Sequence, residues 1–197
     1  MAPAGSSAER ILDASVEAFG SRGYEAVSLD DLARSLGIRK QTILYWFPSK
    51  EALLSACLDL AAAALTEELG RTLAAAPDGW PRLEALLRKA FRIAGRRPAL
   101  VGLLREADRL GPPASTRLVE RLAPLVQRAT RWLDDEMTAG RLRRQDPEAV
   151  VLAAYSMLTG LASEVETQRA LGMSTSLRAV VARERAVERL LRDALAP

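Results

Sequence analysis

The sequence predicts an all-α protein of about nine helices. Ala and Leu are abundant, whereas aromatic residues make up 5% of the chain, and this balance favours helix over sheet. Apolar residues recur at intervals of three and four along most of the chain, which is the period of an amphipathic helix. Because no alternating run rich in Val, Ile and Thr lies between turn residues, we predict essentially no strands.

The first helix is expected to start after Ser6, because Ser6 and Glu9 have the spacing of a capping box. Gly20 and Gly23 surround its end, and Arg22 places a cation near the negative end of the helix dipole. The residues predicted to face inward are Ile11, Leu12, Ser15, Val16 and Phe19.

Two short helices, joined by a tight glycine turn, are predicted next. Ser28 caps the first, and Gly37 ends it in the left-handed conformation that glycine adopts easily. The second runs from about Arg39 to Trp46 and stops before Pro48, which cannot continue helical hydrogen bonding. The residues expected to face inward are Leu29, Leu32, Ala33, Leu36, Ile38, Ile43 and Phe47.

Longer helices are predicted for the rest of the chain. Ser49 caps a helix from about Lys50 to Ala75, and residues 76–79 form a loop. Pro124 falls inside a later helical pattern, so we expect a kink or a split near Leu122. The helices after the loop are expected near residues 81–95, 98–110, 115–140, 147–171 and 175–195.

The composition argues against several functional classes. The net charge of +3 permits a nucleic-acid partner without requiring one. The sequence has one cysteine, no apolar run long enough for a membrane span and no signal-peptide pattern, so we expect a cytoplasmic protein without membrane contact. Histidine is absent, which removes histidine bases and most zinc sites, and no P-loop or nucleophile elbow is present. We therefore expect no enzyme, no cofactor and no metal site.

Residues 28–54 have the helix, glycine turn and helix of a helix-turn-helix motif. In this motif the second helix lies in the major groove of DNA, with its N-terminal residues nearest the bases. Gln pairs with adenine and Arg or Lys with guanine, while hydroxyl groups and a lysine at a helix start suit phosphates. The candidate DNA-binding residues are Ser28, Arg39, Lys40, Gln41, Thr42, Tyr45, Trp46 and Lys50.

An alternative interpretation takes the same segment as two short amphipathic helices of an all-α core, with Arg39 and Lys40 merely solvated. The protein would then be an interaction module for a protein or a lipid that does not bind DNA. The neighbouring Tyr45 and Trp46 favour the DNA-binding interpretation, because two adjacent large aromatics on a short helix are rarely both buried.

A series of short motifs marks the segment from Ile11 to Leu54. They are Phe19-x-x-x-Gly23-Tyr24, Ser28, Leu32-Ala33, Leu36-Gly37-Ile38, Lys40-x-Thr42 and Phe47-x-Ser49-Lys50-Glu51-x-Leu53. With them, about a quarter of the chain resembles the DNA-binding domain of the tetracycline-repressor (TetR) family. Two positions depart from that pattern, because Leu44 replaces the usual tyrosine and Trp46 the frequent histidine. The tyrosine that usually contacts phosphate is displaced by one residue to Tyr45, a rotation of about 100° around the helix, so either Tyr45 makes this contact from a different angle or the contact is lost.

The resemblance implies a DNA-binding domain over residues 1–50 and a helical ligand-binding and dimerisation domain over residues 51–197. It implies a ligand-responsive regulator, most simply a repressor that releases a palindromic operator when a small molecule binds. A homodimer would form through the last two helices, about 147–171 and 175–195. The apolar residues of these helices are Val150, Val151, Ala154, Tyr155, Leu158, Leu161, Ala162, Val180, Val181, Val187, Leu190, Leu191 and Leu195. The alternative is that they face their own core.

The residues of a ligand pocket are harder to assign from the sequence. Large apolar or amphipathic side chains on the later helices are candidates, although each also suits ordinary packing. Glu106 and Asp108 stand in an otherwise apolar helix, where they would either contact a cationic ligand or lie at the surface. The candidate pocket residues are Phe91, Trp132, Met137, Tyr155 and Met157.

Overall fold

The computed structural model describes residues 6–163, 170–172, 174 and 176–196. Within them the chain forms nine α-helices and no strand, which confirms the all-α prediction. The first four helices are α1 (Ser7–Arg22), α2 (Leu29–Leu36), α3 (Lys40–Trp46) and α4 (Lys50–Ala75). The others are α5 (Trp80–Arg96), α6 (Pro98–Leu110), α7 (Ala114–Thr138), α8 (Pro147–Ser163) and α9 (Leu177–Leu195). None of these helices is both long and apolar enough to cross a membrane.

The helix boundaries follow the local signals in the sequence. The predicted capping box is present, since the Ser6 backbone N–H donates to Glu9 Oε2 at 2.6 Å and the Glu9 N–H donates to Ser6 Oγ at 3.3 Å. Ser28 Oγ accepts from the Asp31 N–H at 3.0 Å, as an N-cap residue does. Gly37 has φ 67°, the left-handed conformation expected after α2.

One predicted boundary needs correction, and another lies partly outside the described residues. α7 continues through Pro124, so the chain does not split near Leu122, and a kink there stays a prediction. The missing proline N–H removes one hydrogen bond, and the remaining bonds of a 25-residue helix are enough to continue it. The helix expected over 147–171 is described as far as Ser163, and residues 164–169 and 175 of the two predicted C-terminal helices lie outside the described part.

The chain divides into two compact units. The first consists of Met1–Ala64 and Arg97–Leu122, and the second of Leu65–Arg96 and Ala123–Pro197. The first unit thus contains α6 and the start of α7 together with the helix-turn-helix. This is a division by packing, and the predicted functional boundary after residue 50 stays a prediction.

The packing of the first unit brings α1 and α6 into backbone contact. A Cβ atom placed on Gly20 would lie 1.8 Å from the carbonyl oxygen of Ala99, and one placed on Gly102 would lie 2.0 Å from that of Gly20. Only glycine permits so close an approach of two helices. The fully buried large residues of this unit are Ile11, Phe19, Leu32, Ile43, Leu53, Leu58, Leu100, Leu103 and Leu104.

Glu106 has neither of the roles that the sequence suggested for it. It is buried in the first unit, where its Oε1 atom accepts the backbone N–H of Tyr24 at 2.6 Å. Arg109 binds both carboxylate oxygens, at 2.8 and 2.7 Å. Glu106 is therefore a structural anchor between α6 and the turn that follows α1.

The second unit has its own apolar core. Its buried members are Trp80, Leu83, Leu87, Leu133, Met137, Leu142, Leu191 and Leu195. A buried carboxylate lies in this unit too: Glu136 accepts the backbone N–H of Gly79 at 2.7 Å and binds Arg141 through both oxygens.

Candidate nucleic-acid interface

The turn between α2 and α3 fixes the orientation of α3. The backbone N–H of Ile38 donates to the carbonyl of Ala33 at 3.0 Å, which closes the end of α2 around Gly37. On α3 the side chain of Ile43 is completely buried. Because α3 is only seven residues long, this single anchor determines which of its sides faces outward.

The outward side of α3 carries most of the residues that the sequence predicted to bind DNA. Arg39 precedes the helix as its N-cap residue, with an extended backbone, so α3 begins at Lys40. The exposed candidates are Ser28, Arg39, Gln41, Tyr45 and Trp46, and the half-buried ones are Lys40, Thr42 and Lys50. The structure therefore brings polar, cationic and aromatic groups together on one short helix and its two ends.

Two ion pairs organise the charges around the turn. The Lys40 ammonium group lies 2.8 Å from Asp30 Oδ2, which connects the start of α3 to the start of α2. Arg34 lies 2.8 Å from Asp31 Oδ1. The hydrogen bond from Ser28, and then the one from Arg34, lowers the pKa of Asp31 below its usual range. The acidic residues of α2 thus partly neutralise two cations, and the side chain of Arg39 beside them is exposed.

Ser28 is already engaged within the protein. Its hydroxyl donates to Asp31 Oδ2 at 2.6 Å and accepts from the Asp31 N–H. Capping α2 is therefore its role in the free protein, and a phosphate contact by this residue stays a prediction.

An exposed aromatic pair ends α3. The rings of Tyr45 and Trp46 meet edge to face, with centroids 5.2 Å apart. Tyr45 is 80% exposed and Trp46 is 45% exposed. Because apolar ring area is stabilised by burial, an exposed pair of this size suits a surface that contacts another molecule.

Lys50 at the start of α4 contacts a residue that the sequence analysis did not assign to the site. Its ammonium group lies 4.1 Å from the centroid of the Tyr24 ring, the geometry of a cation–π interaction. The Tyr24 hydroxyl donates to Glu51 Oε1 at 3.1 Å. Tyr24 and Glu51 both belong to the motifs of the sequence analysis. They are 27 positions apart along the chain, so only the fold shows their contact.

The pocket candidates lie in or near the core of the second unit. Met137 is buried in that core, and Phe91, Trp132 and Met157 pack against it, whereas Tyr155 is half-buried on α8. The Nε1 atom of Trp132 is buried and has no hydrogen-bond partner among the described residues. Four of the five candidates thus come together, and their binding role stays a prediction.

The apolar residues proposed for dimerisation divide into two groups. Leu191 and Leu195 belong to the core of the second unit, and Val150, Val151 and Val187 pack against it, so these five do not form a free face. Sequence periodicity cannot tell which neighbour covers an apolar stripe. Val181 and Leu190 are exposed, as is Leu152, which the prediction missed. Ala154 and Tyr155 are half-buried. The structure does not describe the side chains of Leu158, Leu161, Ala162 and Val180.

Comparisons with known proteins identify the segment that contains the helix-turn-helix. Residues 11–57 match the family model described as bacterial regulatory proteins, tetR family. Over 45 residues, 23% of this chain and 24% of that protein, the sequence is 36% identical to the biofilm operon icaADBC HTH-type negative transcriptional regulator IcaR of Staphylococcus aureus. The alignment with this relative thus spans about a quarter of the relative's length.

Solved structures share the fold over most of the chain. A putative transcriptional regulator from Saccharomonospora viridis, in complex with choline, superimposes with a TM-score of 0.79 at 20% identity, covering 96% of this chain and 97% of that one. AibR in complex with isovaleryl coenzyme A and operator DNA gives 0.71 at 19% identity, covering 79% and 85%. At these identities the likeness establishes an N-terminal helix-turn-helix domain followed by a helical domain, as predicted.

Proposed function

Because residues 11–57 match the model of the tetR family of bacterial regulatory proteins, we propose that this chain is a ligand-responsive transcriptional repressor of that family. In this proposal a homodimer binds a palindromic operator through α3 of each subunit. A small molecule bound in the second unit favours a state with lower operator affinity, and the DNA is released.

The observation that carries the proposal is the two-sided character of α3. Ile43 is fully buried, whereas Arg39, Gln41 and Tyr45 are exposed on and beside the same short helix. Arg and Gln make bidentate contacts to guanine and adenine, and the hydroxyl of Tyr45 suits a phosphate. A solvated helix face would need none of the exposed ring area of Tyr45 and Trp46.

A homodimer is part of the proposal because a palindrome has two half-sites. Recognition helices must lie about 34–36 Å apart to enter successive major grooves, and a twofold axis provides this. Leu152 of α8 is 66% exposed and Leu190 of α9 is 61% exposed. These apolar side chains on the last two helices support a subunit contact there.

A small-molecule effector is supported by the second unit and by related structures. Phe91, Trp132 and Met157 place aromatic and sulfur-containing side chains against one core. The buried Trp132 N–H provides a donor for an acceptor on a ligand. Of the two solved structures above, one contains choline and the other isovaleryl coenzyme A together with operator DNA. These two structures do not identify the effector of this chain.

The test is DNA binding by purified protein. Duplexes are selected from a random-sequence library by the protein itself, and the affinity for the selected duplex is measured at several salt concentrations. Replacing Gln41 by Ala should weaken specific binding by ~1–3 kcal/mol, because a base contact is lost. Gln127→Ala removes another exposed glutamine, on α7, and should leave affinity unchanged.

Two results would contradict the proposal. A protein that selects no sequence and shows no salt-sensitive binding would be an interaction module for a protein or a lipid instead. Equal affinities for Gln41→Ala and the wild type would remove α3 from the interface.

A further inference from the structure

Tyr24 lies at the centre of a chain of contacts that joins α6 to the start of α4. It follows Gly23 in the turn after α1, and only 9% of its surface is exposed. Its ring packs against Phe19, with centroids 5.5 Å apart. The contacts of its backbone, ring and hydroxyl each go to a different partner.

The backbone of Tyr24 is fixed by α6. Its N–H donates to Glu106 Oε1 at 2.6 Å, and Arg109 holds both oxygens of that carboxylate. The Arg109 hydrogen bonds, with a smaller contribution from the Tyr24 N–H, keep the pKa of Glu106 below its usual range despite burial. The carboxylate therefore stays charged and remains a strong acceptor at neutral pH.

The side chain of Tyr24 is fixed by α4. Its hydroxyl donates to Glu51 at 3.1 Å, and burial together with this hydrogen bond raises the pKa of Tyr24 to about 12, so the donor proton is retained. The ring face is then available to the ammonium group of Lys50, 4.1 Å from its centroid. A free lysine side chain samples many rotamers, and contact with a fixed ring reduces that freedom before any phosphate is bound.

We infer that Tyr24 is a positioning residue for phosphate binding, which holds the Lys50 ammonium group at the start of α4 while Glu106 fixes Tyr24 from α6. The inference rests on the proposed DNA-binding function. It gives Glu106 and Arg109 of α6 an effect on DNA affinity through Lys50.

The first experiment measures how the DNA affinity of each variant depends on salt. Each phosphate contact contributes about −0.9 to the slope of log K against log salt concentration. Lys50→Ala should therefore make the slope less steep by about 0.9. Tyr24→Leu removes the ring and should do the same, whereas Tyr24→Phe keeps the ring and should retain the wild-type slope. In the Lys50→Ala background, Tyr24→Leu should change the slope no further.

The second experiment uses the wild-type protein and does not depend on how the variants fold. Lysine occurs only at positions 40, 50 and 89, so lysine-selective ¹³C labelling gives few NMR signals, and Lys50→Arg assigns one of them. A lysine over a ring face is shielded, so the Lys50 ε-methylene protons should lie upfield of those of Lys40 and Lys89.

The outcomes separate the inference from the proposed function. Absence of salt-sensitive DNA binding by the wild type would remove the proposed function itself. If the wild type binds DNA, an unshifted Lys50 signal would overturn the inference, as would a Tyr24→Leu slope equal to the wild type's. So would an unchanged slope in Lys50→Ala, since Lys50 would then contact no phosphate.

Discussion

Two buried glutamates, Glu106 in the first unit and Glu136 in the second, are held by the same set of contacts. Each accepts one backbone N–H, at 2.6 and 2.7 Å, and each binds an arginine through both oxygens. In both cases the arginine follows closely on the chain, Arg109 or Arg141, and the hydrogen bonds from it lower the pKa of the carboxyl. The two clusters differ in the residue that donates the backbone N–H.

At Glu136 the N–H belongs to Gly79, which has no side chain to transmit the contact further. At Glu106 it belongs to Tyr24, whose ring contacts Lys50. The same chemistry therefore closes a loop in one unit and positions a cation in the other. A buried ion pair alone does not indicate function. The residue that donates its backbone N–H to the glutamate does.

The largest effect is expected from the helix crossing that carries Glu106. Gly20→Ala places a Cβ 1.8 Å from a backbone oxygen of α6, so the helices must separate, and the free energy of unfolding should fall by about 3 kcal/mol. Gly70→Ala in α4 is the control, because its nearest neighbour at 2.9 Å is the end of the flexible Arg128 side chain. Chemical denaturation measures both, and equal stabilities would contradict the backbone contact.

A smaller loss of stability, of the same size for both residues, is expected when either glutamate loses its charge. Glu106→Gln and Glu136→Gln should each cost about 1–2 kcal/mol, less than a fully buried pair because both arginines are half-exposed. The lowered pKa values mean that the carboxylates stabilise the fold above their unfolded pKa of about 4.3, and that this contribution is lost as pH falls through the folded values. The difference between wild type and variant should be constant from about pH 7 to 5 and narrow below about pH 4. A difference that widens in acid would contradict these pKa directions.

The smallest effect, on DNA affinity, distinguishes the two clusters. Glu106→Ala should reduce the salt slope of DNA binding by about 0.9 at most, because Tyr24 loses its anchor and Lys50 its position. Glu136→Ala should destabilise the protein similarly and leave the slope unchanged. Equal slopes in the two variants, measured where both are folded, would show that the clusters have the same purely structural role.

The sequence predicted those features that depend on near neighbours. The caps at Ser6 and Ser28 and the glycine turn at Gly37 involve residues at most five positions apart, and the structure has them where expected. The resemblance over residues 11–54 supported the prediction that α3 is the helix that enters the DNA groove, and this role stays a prediction. The exposure of Tyr45 and Trp46 followed from the improbability of burying two adjacent aromatics.

Features that depend on distant parts of the chain were missed or misassigned. Glu106 and its partner Tyr24 are 82 positions apart, so an acidic residue in an apolar helix gave no indication of what it binds. The spacing of Glu106 and Arg109, one helical turn, was the available sign that the charge is paired. The apolar periodicity around Val150 and Leu191 correctly predicted that these side chains are covered. It could not distinguish a partner subunit from the protein's own core, which is what covers them.

The central claim, that the outer side of α3 contacts DNA, can be tested with tryptophan fluorescence. Tryptophan occurs at positions 46, 80 and 132, so Trp80→Phe with Trp132→Phe leaves Trp46 as the reporter. In the free protein Trp46 is 45% exposed and should be quenched readily by acrylamide. Saturation with the selected duplex should protect it from quenching. Undiminished quenching of Trp46 while the duplex is bound would contradict the account.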